Sequence, residues 1–140
     1  MQLISLYIKK YNHLENFSIE FKQKLSVIIG VNGSGKSSIL EALAKIFSDT
    51  YLNNETSFGF KLIYKLGEIV IELSAEDEGF EIKMNSQNKI DKSLLPNNIV
   101  IYYSGLSDKM AKLCKTHEDI QRDNFRKGQA TKRLFFYYRP

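Results

Sequence analysis

The sequence predicts an α/β fold: a core sheet carrying a glycine-rich loop and its helix, with an antiparallel β-subdomain beside it. Three observations lead there. A short continuous apolar run, residues 25–30, opens into three closely spaced glycines and then a helical pattern. Three consecutive segments between residues 57 and 86 alternate apolar and polar side chains. A second apolar run, residues 97–105, again ends at a glycine.

The elements follow in order. "LISLYIKKYNHLENFSIEF" reads as two strands joined by a polar turn, with Ile19 and Phe21 alternating against Ser18, Glu20 and Lys22. "LSVIIG" (25–30) has the composition of a strand buried on both faces of a parallel sheet. In "KSSILEALAKIFS" (36–48), Ile39, Leu40, Leu43, Ile46 and Phe47 recur at helical spacing, uninterrupted by glycine or proline. Residues 57–86 then predict an antiparallel three-strand meander. Phe58, Phe60, Leu62, Tyr64 and Leu66 share one face, Ile69, Ile71 and Leu73 a second, and Phe80, Ile82 and Met84 a third. Gly67-Glu68 and Asp77-Glu78-Gly79 supply the turns. Residues 97–105 are expected to return to the central sheet, 107–128 to be mostly helical or irregular, and 131–140 to begin a further strand.

Composition bounds the function. The chain has 140 residues, 43% hydrophobic and 26% charged, with a net charge of +4. These are ordinary values for a globular domain. Cys114 is the single cysteine, so no intrachain disulfide forms, and with His13 and His117 it makes no metal-ligand spacing. No apolar run reaches eighteen residues, and the lysines of "MQLISLYIKK" follow its apolar stretch. A cytoplasmic protein without a membrane segment or secretory signal is expected.

Gly30-Val31-Asn32-Gly33-Ser34-Gly35-Lys36-Ser37 satisfies G-x-x-x-x-G-K-[ST] at every fixed position. The chemistry of a polyphosphate explains the residue types. Backbone N–H groups can wrap it closely only where no β-carbon intrudes and left-handed φ angles are allowed, which selects glycine. The helix starting near Gly35 directs free N–H groups and a positive dipole end at the anion. Lys36 adds a point charge, and the Ser37 hydroxyl offers Mg²⁺ a hard oxygen ligand. By chance the pattern arises in about one chain of this length in 200. The candidate nucleotide-binding residues are Gly30, Asn32, Gly33, Ser34, Gly35, Lys36, Ser37 and Ser38, with Ser37 on the metal.

"GVNGSGKSSILEAL" resembles the Walker A segment of ABC-type ATPases of the SMC, RecF and DNA-repair kind, often grouped as AAA-family ATPases. Leu14-Glu15-Asn16-Phe17 running into "SIEF" matches the "L-x-N-F" turn of the same heads. The resemblance covers most of residues 1–105 and implies a head domain that binds ATP with Mg²⁺. It implies pairing with a second head, and work on DNA or for a restriction or defence effector. Tyr11 and His13 lie where such relatives contact adenine or ribose, and "LLPNNIVIYYSGLSDKM" (94–110) resembles the strand that leads to the Q-loop. Ser104-Gly105 stands there without a glutamine.

Other expected parts are missing from the sequence. Such heads use a Walker B element, an L-S-G-G-Q-like signature and a switch histidine. "IVIE" (69–72) lacks the Asp-Glu pair, and polar residues precede Glu118-Asp119. The expectation is therefore a single, truncated head over 1–140: N-terminal strands, Walker A and helix in 1–50, the meander in 57–86, and a return strand with a basic segment in 97–140. A missing C-terminal ATPase half or a second head would complete it. A non-catalytic nucleotide-binding remnant or regulatory module is the alternative, ahead of a small P-loop kinase or a GTPase. "NKID" (88–91) matches the Asn-Lys-x-Asp base reader of GTPases but does not follow a buried strand. Residues 107–140 hold nine basic and four acidic residues with aromatics between them, a pattern shared by nucleic-acid surfaces and solvated helix faces. An open apolar sheet edge also predicts self-association.

Overall fold

The structure is a computed structural model and describes residues 1–102, 108–128 and 135–138. It forms two compact units, Met1–Leu95 and Pro96–Pro140.

In the first unit, β1 (Gln2–Tyr11) and β2 (Leu14–Glu20) form a hairpin, with Tyr11 paired to Leu14 across the two-residue turn Asn12-His13. Asn12 takes φ 52°, a conformation that asparagine tolerates better than most residues. β3 (Phe60–Leu66) pairs antiparallel with β1, and β4 (Ile69–Ala75) with β3 through the turn Gly67-Glu68. The five-stranded order is β2-β1-β3-β4-β5, with β5 reduced to Lys83–Met84. Every pairing in this sheet is antiparallel.

One face of the sheet is the core. Leu6, Ile8, Leu62, Tyr64, Ile71 and Leu73 alternate onto it and are fully buried. Helix α1 (Lys36–Leu52) contributes Ile46 and Phe47, the latter edge-on to Tyr64 at 5.5 Å between ring centroids. Each such side chain adds roughly 1.5–3 kcal/mol of transfer free energy. Across the sheet's other face, Lys61 pairs with Glu72 at 2.8 Å and Lys9 pairs with Asp77.

The meander is therefore present, but its third strand is short. Gly79 N–H donates to the Thr56 carbonyl and Thr56 N–H to the Phe80 carbonyl, which diverts residues 79 and 80 from β4. Ile82 and Met84 still reach the core, while Phe80 is exposed.

The larger departure is at residues 25–30, which lie outside every β-ladder among the described residues. Leu25, Val27, Ile29 and Val31 are 80, 75, 89 and 79% exposed. A strand of this composition needs apolar cover on both faces. The antiparallel sheet gives it none, so the expected core strand remains unpaired in this unit.

The second unit is a βαβ arrangement. β6 (Ile99–Tyr102) and β7 (Phe135–Tyr138) pair in parallel, and α2 (Lys109–Arg126) lies against β7. Residues 97–105 were expected in the central sheet; β6 instead belongs to this separate pair. Met110, Cys114 and His117 form the buried stripe of α2 at positions i, i+4 and i+7. Ser104 and Gly105 lie outside the described residues.

Candidate nucleotide-binding site

The loop between Val31 and α1 takes the shape that its glycines permit. Gly33 and Gly35 have φ of 86° and 90°, which L-residues rarely adopt. A β-carbon on Gly30 would stand 2.6 Å from Ser34 Oγ. Gly35 is the N-cap of α1, without a side-chain cap and with no acidic residue in the first turn. The positive end of the helix is thus left without an internal counter-charge.

Lys36 folds back over the loop. Its Nζ donates to the carbonyls of Gly30 at 2.6 Å and Val31 at 2.7 Å, and lies 3.4 Å from Ser34 Oγ. One ammonium therefore ties the start of the loop to its middle.

A cavity of about 260 Å³ opens at this point, lined by His13, Asn32, Gly33, Gly35, Lys36, Ser37 and Ser38. Among the described residues its lining holds an ammonium, an imidazole, hydroxyls and an amide, with no carboxylate. That donor set suits a polyanion. A divalent cation there would have Ser37 as its hard protein ligand, leaving its other positions to phosphate oxygens and water. Of the eight sequence-predicted residues, six line the cavity. Gly30 and Ser34 shape the loop beneath it through Lys36.

The hairpin turn supplies the remaining wall. His13 lines the cavity, whereas Tyr11 turns inward, half-buried, against Phe58 at 4.6 Å between ring centroids. The Tyr11 hydroxyl is pushed up by burial and then by the negative charge of Glu41 and Asp49. Two residues here escaped sequence reasoning. Asn12 Nδ2 donates to Ser38 Oγ at 3.4 Å and to Glu41 Oε2 at 3.3 Å, and Glu41 is only 8% exposed. A carboxylate on the inner face of a helix was the available signal.

The GTPase-like "NKID" has another role. Asp91 caps a 3-10 turn, accepting from Ser93 N–H at 2.9 Å and Ser93 Oγ at 2.7 Å, and these bonds hold its carboxyl below the usual range. On α2, Lys112, Lys115, Arg122 and Arg126 are exposed, as is Lys127 just after it, but Arg122 and Arg126 face Asp119 and Asp123 at 3.8 Å. Among the described residues no helix is long and apolar enough to cross a membrane, and no cluster of histidine, cysteine or acidic residues fits a metal.

Comparison with known proteins gives the family. The AAA ATPase domain family matches residues 1–136, nearly the whole chain. This chain belongs to that family. The AAA ATPase chain is 27% identical over 116 residues to the DNA replication and repair protein RecF of Macrococcus caseolyticus, covering 73% of this chain and 31% of that protein. It is 28% identical over 116 residues, with the same coverage, to RecF of Bacillus thuringiensis. It is 24% identical over 122 residues to the DNA double-strand break repair Rad50 ATPase of Saccharolobus solfataricus, covering 86% of this chain and 14% of that protein. The chain thus spans less than a third of the length of these relatives. The SMC/RecF-like ABC-type resemblance read from the loop agrees with them. No solved structure matches the chain.

Proposed function

We propose that this chain binds ATP with Mg²⁺ through residues Gly30 to Ser38, as the Walker A-bearing part of an SMC/RecF-like ATPase acting in DNA transactions. One observation carries the reading: the cavity over the loop is walled by cationic, hydroxyl and amide groups beside a helix N-terminus without a side-chain cap, with no carboxylate among the described residues. Lys36 would hold phosphate oxygens in place of its carbonyl partners, Ser37 would offer Mg²⁺ a hydroxyl ligand, and Asn32 and Ser38 would add polar contacts. The glycines keep the backbone close to the anion. RecF and Rad50 are named for DNA repair, so DNA is the proposed polymer partner.

Hydrolysis is assigned elsewhere. Heads of the kind this sequence resembles activate water with a carboxylate, and none lines the cavity among the described residues; His13, the imidazole in that lining, is assigned to the nucleotide rather than to water. A C-terminal ATPase half or a second head supplies it. The same observation favours a second reading, in which the chain is a non-catalytic nucleotide-binding module.

The test is a titration of fluorescent ATP and GTP analogues with Mg²⁺ against wild type and Lys36→Ala, followed by a phosphate-release assay. Loss of a charge-assisted hydrogen bond should weaken ATP binding about 10- to 100-fold, with no phosphate released by either protein. Equal affinity in both proteins would overturn the proposal. Steady phosphate release that Lys36→Ala abolishes would overturn the assignment of hydrolysis to another segment.

A further inference from the structure

The hairpin turn and α1 are far apart in sequence, yet one side chain joins them. Asn12 Nδ2 donates to Ser38 Oγ in the first turn of α1 and to Glu41 Oε2 one turn later. The acceptor Glu41 is buried, and Ser38 lines the phosphate cavity. The donor itself occupies a left-handed backbone position. The next residue is His13, an exposed side chain that nevertheless lines the cavity. The turn has two central residues, so its first cannot move without its second.

We propose that Asn12 is a positioning residue. By binding Ser38 and Glu41 it locks the β1–β2 turn onto α1, and so holds His13 as the wall of the cavity that hydrogen-bonds the bound nucleotide. This rests on the nucleotide-binding reading above. Glu41 has a matching part: its carboxylate anchors the clamp from a site outside the cavity lining, so it holds the turn without confronting the phosphates. The clamp makes the hairpin, rather than the glycine loop alone, a determinant of nucleotide affinity.

The experiment is a double-mutant cycle read by ATP-analogue titration. Asn12→Gly keeps the left-handed backbone accessible while removing the carboxamide. His13→Ala removes the positioned group. Asn12→Gly should weaken ATP binding about fivefold, the size of one lost hydrogen bond, with an unchanged far-UV spectrum. His13→Ala should weaken it by a similar factor. In the His13→Ala background Asn12→Gly should add almost nothing, because the two act as one.

Multiplicative losses in the double mutant would overturn the proposal, showing that Asn12 acts through the loop or through stability. Unchanged affinity in Asn12→Gly would also overturn it. Since Asn12→Gly also loosens the chain, Glu41→Gln, which keeps an oxygen acceptor for Asn12, provides a second measurement and should retain affinity within about twofold. A larger loss there would show that the charge of Glu41, not the clamp, is what matters. Failure of the underlying reading looks different: Lys36→Ala would then bind ATP as wild type does.

Discussion

Gly35 stands against Leu14 so closely that a β-carbon built on it would lie 2.8 Å from Leu14 Cδ2. The first residue of β2 therefore packs on the N-cap of α1, the point where the glycine loop becomes a helix. The contact comes on top of a φ of 90°, so Gly35 faces both a steric and a conformational demand.

Gly35→Ala should consequently destabilise the chain by about 1–3 kcal/mol and abolish nucleotide binding. Thermal unfolding followed by circular dichroism gives the first, titration the second. Adding Leu14→Ala should restore affinity little, since the φ demand remains. Full rescue would assign the whole effect to the clash.

Asp49 is buried beside Lys45, 3.2 Å away, yet burial outweighs that charge and pushes its carboxyl above the ordinary 3.8. A raised carboxyl favours folding when protonated. Its contribution is complete below pH 3.8 and is lost as pH rises through the folded value. Asp49→Asn should therefore stabilise the chain at neutral pH by about 0.5–1 kcal/mol and make no difference near pH 3.8. Chemical denaturation at the two pH values measures this, and Lys45, a third exposed, can turn to water.

His117 has the opposite linkage. Burial in the inner stripe of α2 lowers its pKa below 6.5. Stability from the neutral imidazole is present above pH 6.5 and is lost as pH falls through the lowered folded value. Hydrogen-exchange protection of α2 amides should decline below pH 6.5, by at most about tenfold per pH unit. In His117→Gln that decline should be absent.

The exposed row Leu25, Val27, Ile29 and Val31 should make the protein self-associate. Val27→Thr with Ile29→Thr, substitutions on residues that make no ladder, should shift sedimentation toward monomer without lowering the thermal midpoint. Wild type sedimenting as a clean monomer at high concentration would count against this.

How much of this was legible in the sequence varied with the range of the interactions involved. The shape of the loop was legible because its pattern is local: Gly33 and Gly35 stand where the backbone takes left-handed angles just before the helix. The β3–β4 hairpin was legible because its pattern is local, with Gly67 at the turn. The shortening of the third strand depends on Thr56, more than twenty residues upstream, and alternation alone cannot report it. The pairing of residues 25–30 was read from composition, but composition states what a strand needs and not whether a partner is present. The Asn12–Glu41 contact spans 29 residues and left one local trace, a glutamate at an inward helical position.

The uncovered segment before the loop has a thermodynamic consequence. Residues 25–30 form the stem from which the glycine loop hangs, and no ladder restrains that stem. A ligand that orders the loop must also meet the entropy of fixing the stem, at about 1–2 kcal/mol per residue. Any strand that pairs with the stem meets the same cost beforehand. For the nucleotide proposed above, linkage would then make ligand and strand reciprocal effectors, each raising the affinity of the other by the same factor.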